Sequence, residues 1–229
     1  MYKIYLSPAA HGRDNPCGYD SACGENIHCN LYIDELEPYL LACGFAVKRN
    51  PKDRTGDRLK EAIAESNAWG ADLHYIAHTN AGGGSYSLLM VYDQGAAYGY
   101  AEKLAARRRE IYAGNVKISV QPQWDELRLT AAPAVYDEMV FHDNAKDIAW
   151  FHEHLREMAE ATAKAICDMF GAAFVDPYAK PAEPAPEPES GGDVWYRVQV
   201  GAFREKANAD RLCAELQGKG YAAFVKAGA

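Results

Sequence analysis

The sequence predicts an α/β fold: an open, mostly parallel twisted sheet with helices on both faces, plus a small β-α-β fragment at the C-terminus. Three observations carry this. Short apolar runs, the clearest being Ala71–Ala77, are too brief and too closely bounded to be helices and read as buried strands. Stretches with apolar residues on helical spacing separate them, and that alternation implies right-handed βαβ units in one sheet. After residue 175 the composition changes abruptly, which sets the C-terminal segment apart from the main body.

Tyr2–Leu6 alternates as a first strand and is followed by a long loop holding Pro8, His11, Gly12, Pro16 and Gly18. A helix runs from about Gly24 to Cys43 on Ile27, Leu31, Leu36 and Leu40, with Gly44 as its stop signal. Phe45–Lys48 is a short second strand, and Thr55–Trp69 a helix capped by Thr55 or Asp57 and ended by Gly70. The central strand through Leu73 stops at His78, Asn80 and Gly82-Gly83-Gly84. Leu88–Tyr92 is another strand, and Ala96–Tyr112 a helix whose Arg107-Arg108-Arg109 run reads as a solvated face. Val116–Val120 and Leu127–Thr130 are weaker extended segments, and Pro133–Glu138 is a last strand ending at an acid. Asn144 caps one long helix to about Phe170, with Asp147 as a capping-box-like partner.

The chain divides into three regions: a main domain over 1–175, a Pro/Glu/Ala-rich linker over 176–192 and a fragment over 193–229. The linker offers nothing large and apolar to bury, and its prolines favour an extended spacer. In the fragment, Val194–Val200 and Ala222–Val225 read as strands around a helix over Glu205–Gln217. Such a piece is shorter than the roughly 40 residues that an unaided domain needs.

The chain has 229 residues, 48% hydrophobic and 24% charged, which is ordinary globular composition. A formal charge of −8 argues against a nucleic-acid binder, which would normally show a basic patch or stripe. No window approaches the ~20 apolar residues of a membrane span. The first residues already read as a strand, so no secretory leader is expected. The protein is then cytoplasmic, released by another route, or exported with a leader that this chain lacks. None of the six cysteines forms a C-x-x-C pair or zinc-ribbon spacing, so reduced thiols are the default. A Cys17–Cys23 bridge stays open, because spacing alone cannot establish one.

Ligands of open α/β sheets sit beyond the carboxyl ends of strands. Four candidate groups fall on loops or ends of that kind: His11, Glu25, His78 and Glu138. Zinc hydrolases need about three His or Asp/Glu ligands, an open position for water and a nearby carboxylate base. His11, Glu25 and His78 offer the ligands, with Glu138 left as the base. The bland alternative for His78 is a capping histidine. His28, three residues after Glu25, shares its helical face and reads as partly exposed. His74 and His78 would be ~13 Å apart along a strand, too far to share a metal. His142 reads as a surface residue, and His152 and His154 as solvated. The three glycines lack the G-K-[ST] that phosphate binding would need. Asp137 points to the opposite strand face from Glu138.

Four segments in order, Ser7-Pro8-Ala9-Ala10-His11-Gly12, Gly24-Glu25-Asn26, Ile76-Ala77-His78-Thr79-Asn80-Ala81 and Ala134 through Glu138 to Asn144, resemble the zinc-dependent N-acetylmuramoyl-L-alanine amidases of the amidase-3 type. The resemblance covers about residues 2–171. It implies zinc (Zn2+) on His11, Glu25 and His78, catalysis by Glu138, and peptidoglycan as substrate. The bond cleaved would join N-acetylmuramic acid to L-alanine, in an endolysin or an autolysin. A zinc carboxypeptidase acting on stem peptides and a non-catalytic cell-wall-binding module are the alternatives. The segment Trp195-Tyr196-Arg197-Val198-Gln199-Val200-Gly201-Ala202-Phe203 resembles the opening of a SPOR domain, a fold that binds glycan strands stripped of stem peptides. Only its first β-α-β half is present.

Overall fold

The computed structural model describes residues 1–10, 24–50, 58–179 and 198–226. They form two compact units, Met1–Lys180 and Pro181–Ala229. In the first, six strands make one sheet: β1 (Lys3–Pro8), β2 (Ala46–Arg49), β3 (Leu73–Asn80), β4 (Tyr86–Val91), β5 (Asn115–Val120) and β6 (Ala134–Phe141). Their order is β2-β1-β3-β6-β4-β5. Every neighbouring pair is parallel except β4 with β6, so β4 and β5 run against the other four strands.

The two sheet faces are covered unequally. Ile4, Leu6, Leu73, Tyr75, Ala77, Val135 and Met139 point into the larger core. There they meet α1 (Glu25–Ala42), α3 (Ala96–Ile111), α5 (Ala145–Glu153) and α6 (Leu155–Phe170). The alternate residues, among them Ile76, Ala134 and Tyr136, face a much smaller cluster that includes Leu127 of α4 (Asp125–Arg128). The period of two along each strand produces this division. Near the same thin side, α2 (Leu59–Trp69) accepts the Tyr5 hydroxyl on Glu65 Oε2 at 2.8 Å.

A polar chain crosses the larger core. The Tyr32 hydroxyl donates to Thr162 Oγ1 (2.7 Å) and lies 3.1 Å from that of Tyr75, which donates to Asp137 Oδ2 (2.6 Å). Arg108 reaches the same oxygen at 2.7 Å and Ser87 Oγ at 3.0 Å. Arg108 is therefore buried in an ion pair, not part of a solvated face; Arg107, paired with exposed Asp168, and exposed Arg109 match the expectation. Burial pushes the Tyr32 hydroxyl up to about 12.

Other sequence expectations also change. Leu127–Thr130 is not extended: α4 forms with Asp125 and Glu126 in its first turn and Arg128 paired to Asp125 at 2.8 Å. The expected helix from Asn144 breaks at His154, whose backbone N (3.0 Å) and Nδ1 (2.9 Å) share the Trp150 carbonyl. Asn144 does cap α5, but Asp147 turns back to Phe141 N at 2.9 Å instead of closing a capping box. Gly70 ends α2 in the left-handed conformation at φ 69°, as its place after the last apolar residue predicts. The second unit shows α7 (Lys206–Gly218), which buries none of its residues. Residues 198–200 and 221–226 form no strands. Cys17, Cys23, Thr55, Asp57 and most of the expected linker lie outside the described residues.

Candidate active site

The parallel register of β3 and β6 sets His78 directly beside Glu138. Cross-strand neighbours in a parallel ladder share a face, and adjacent strands lie about 4.8 Å apart. Glu25 arrives from another direction as the first residue of α1, a position where the helix dipole favours a carboxylate. Its Oε1 accepts the Thr79 backbone N–H at 3.1 Å and His78 Nδ1–H at 2.9 Å. Glu25, His78 and Glu138 are all buried, and the Tyr136 ring packs 4.4 Å from the imidazole.

Electrostatics separate the two carboxylates. Burial pushes Glu138 up to about 7, with the Glu25 and Asp137 charges adding to it and His78 opposing. Glu138 Oε2 is buried with no hydrogen-bond partner among the described residues. Burial would lower His78, but the hydrogen bond and charge of Glu25, with Glu138 beyond, outweigh it and raise the imidazole pKa.

Three of the four sequence candidates thus come together. The fourth, His11, lies outside the described residues. The chain reaches Ala10 beside the site, since Ala9 N donates to the Ala77 carbonyl at 2.9 Å. An imidazole and a carboxylate 2.9 Å apart lie slightly inside the roughly 3.3 Å edge of a tetrahedral zinc shell built on bonds of about 2.0 Å. The donor types and the orphaned Glu138 oxygen suit a cation, so the residues present fit two of three ligand positions. Among the described residues alone, no group of three or more His, Cys, Asp or Glu could hold a metal.

Four of the other histidines depart from expectation. His28 is fully buried, its ring 5.0 Å from that of His152. His142 is buried too, with Nδ1–H directed at the Thr79 carbonyl at 3.1 Å. His152 and His154 are half-buried. His74 is a core residue as expected, and Asp137 faces away from Glu138 into the Arg108 pair. Gly82 and Gly83 direct their N–H groups to Asp143 Oδ2 at 2.6 and 2.9 Å, so this glycine run cradles a carboxylate of its own chain.

Sequence reasoning missed Thr79, Tyr136 and Glu126. Glu126, on α4, is buried; its Oε1 accepts Ser7 Oγ–H at 2.6 Å and lies 3.0 Å from His74 Nε2. A cavity of about 260 Å³ opens beside His78, lined by Ser7, Asn50, Arg58, Trp124, Glu126 and Tyr136 among others. The signal available for α4 was an acidic pair followed by Leu127, a helix-start pattern that the Leu127–Leu129 alternation hid.

Residues 160–227 match the SPOR domain family. The match begins within α6, whose Ala161, Ala163, Ala165 and Ile166 are buried in the first unit. The N-acetylmuramoyl-L-alanine amidase CwlM of Bacillus licheniformis is 30% identical over 237 residues, covering 98% of this chain and 85% of that one. The sporulation-specific N-acetylmuramoyl-L-alanine amidase of Bacillus subtilis (strain 168) is 26% identical over 232 residues, covering 98% and 84%. Among solved structures, the N-acetylmuramoyl-L-alanine amidase AmiC2 of Nostoc punctiforme superposes with a TM-score of 0.66 at 15% identity, over 74% of this chain and 97% of that one. With 30% identity across nearly the whole chain, the protein belongs to the N-acetylmuramoyl-L-alanine amidase family.

Proposed function

We propose that the chain is a peptidoglycan hydrolase cleaving the amide between N-acetylmuramic acid and L-alanine, with zinc held by His11, Glu25 and His78 and with Glu138 as the catalytic base. The observation that carries this reading is the cross-strand pairing of His78 with Glu138, whose free oxygen faces no partner of its own among the described residues. A bound zinc supplies Lewis-acid polarisation of the carbonyl and lowers the pKa of a water to about 7. Glu138 takes the proton of the attacking water and returns it to the alanine nitrogen as the C–N bond breaks. A carboxylate poised near neutrality can do both. The Thr79 N–H holds the Glu25 carboxylate in place, and Glu25 in turn fixes the His78 ring. The family membership supports the substrate, and the SPOR match supports action at the cell wall.

The test is digestion of purified peptidoglycan by wild type, by Glu138→Gln and by chelator-treated wild type, with products read by mass spectrometry. Stem peptides with a new L-alanine amino terminus are expected from wild type alone. Cleavage elsewhere in the peptide, or full activity after chelation, would overturn the reading.

A further inference from the structure

Two thiols that the hydrolytic chemistry does not use face each other where α1 and α6 end. Cys43 closes α1, its backbone N–H still bonded to the Tyr39 carbonyl at 2.9 Å. Cys167 lies in the last turn of α6, where the Ala172 N–H meets its carbonyl at 3.0 Å and Gly171 turns the chain back. Both are free thiols in the structure, Cys167 buried and Cys43 half-buried, and they are hydrogen-bond partners of each other. The returning segment packs on both sulfurs. Val175 N–H donates to Cys43 Sγ at 3.2 Å, and Cys167 Sγ–H points at the Ala173 carbonyl at 3.9 Å. Tyr39 shares a helical face with Cys43 and holds the same segment, stacking on Phe174 at 5.9 Å and meeting Tyr178 edge-on at 5.3 Å. The two sulfurs are thus fixed from three sides in one packed spot, although 123 residues of chain separate them.

We propose that Cys43 and Cys167 are a redox-active pair that closes to a disulfide against a small-molecule disulfide oxidant, stapling the end of α1 to the last turn of α6. Bridging requires the sulfurs to close to about 2.05 Å, and hydrogen-bonded thiols are within reach of that by side-chain rotation. Burial, with the Cys43 thiol and the Asp168 charge adding to it, pushes Cys167 up to about 12, so it stays protonated near neutrality. The more accessible Cys43 therefore attacks first. Its thiolate forms a mixed disulfide with the oxidant and expels one thiolate. Cys167 sulfur then attacks Cys43 sulfur, the second half of the oxidant leaves, and that departing thiolate takes the Cys167 proton. The protein loses two electrons and two protons, and the oxidant becomes two thiols. Because α1 begins at Glu25, the staple fastens the helix that brings this carboxylate to the site. A loop this long makes the bridge a strong constraint on the unfolded chain.

The test incubates the purified full chain with oxidised glutathione at about pH 8, where ordinary thiols are partly ionised. Remaining thiols are alkylated, and a non-reducing chymotryptic digest is read by mass spectrometry. The peptides holding Cys43 and Cys167 should appear joined and separate on reduction. Oxidation should also raise the melting temperature by about 5–15 °C in wild type and leave that of Cys43→Ser unchanged. Cys43→Ser keeps every other cysteine, so it removes the contribution of any second bridge. If it fails to fold, Cys167→Ala takes its place, and the peptide map of wild type needs neither variant. Glutathione retained on Cys43 without a bridge, Cys43 joined to a different cysteine, or a melting temperature that oxidation does not raise would each overturn the proposal. The readouts are independent of peptidoglycan cleavage, so failure of the staple and failure of the amidase reading are separate results.

Discussion

Glu138 meets two opposed demands, since burial disfavours its charge while catalysis needs a base. Because its folded pKa of about 7 exceeds the ordinary 4.5, the folded state binds the proton more tightly than the unfolded chain. Stability of metal-free protein should therefore fall as pH rises from about 4.5 to 7 and stay lowered above that. The stability difference between chelated wild type and Glu138→Gln should shift by about 3 kcal/mol in favour of the variant between pH 4.5 and 8. Urea unfolding at both pH values measures this, and a pH-independent difference would show that burial leaves the group unperturbed. Glu25 carries another expectation: Glu25→Ala should purify with far less than one zinc per chain, by elemental analysis, while keeping its helical signal. The positions of His78 and Glu138 were legible because each stands where a run of apolar residues ends, and that of Glu25 because a helix begins there. Their companions were not. Thr79, Tyr136 and Glu126 acquire roles only through register and through a helix crossing the strand ends, neither of which is written locally. The burial of His28 and His142 was hidden for the same reason, because a helix or loop position does not reveal what packs against it.

At the level of elements, β6 is pinned from behind. Asp137 turns away from the reactive face and meets Arg108 of α3, with Tyr75 completing the contact. Arg108→Leu should destabilise the protein by about 3–5 kcal/mol, because an unpaired carboxylate is left in the core. Adding Asp137→Leu should recover much of that loss in chemical denaturation, whereas a double variant no better than the single one would show that the pair is not the cause. Three consecutive arginines look solvated in sequence because helical position alone cannot tell which of them faces a buried acid. The antiparallel entry of β4 was equally hidden, since strand patterns carry no direction. Strand and helix identities in the first unit were mostly legible, because apolar spacing governs both.

Across the whole first unit, the sheet is thickly covered on one side and thinly on the other. His78, Tyr136 and Glu138 all project to the thin side, where α4 and α2 leave a cavity. All described site residues lie in this unit, so a chain ending at residue 180 should keep its melting temperature within a few degrees and its activity on soluble muramyl peptides. Loss of that activity would show that the second unit contributes to catalysis. The composition break after residue 175 was legible as such. The expected strands of the fragment were not realised in its described residues, since α7 buries nothing against which they could be held.

The Asp143 carboxylate, in the turn after β6, holds two amides of the turn after β3. Those two loops must separate before either amide can exchange with solvent deuterium, so Gly82 and Gly83 should report on the parting of the two strand ends that carry His78 and Glu138. Asp143→Ala should speed exchange at these two amides and leave the Ile76 amide slow, while uniform acceleration along β3 would mean that the clasp holds the strand itself.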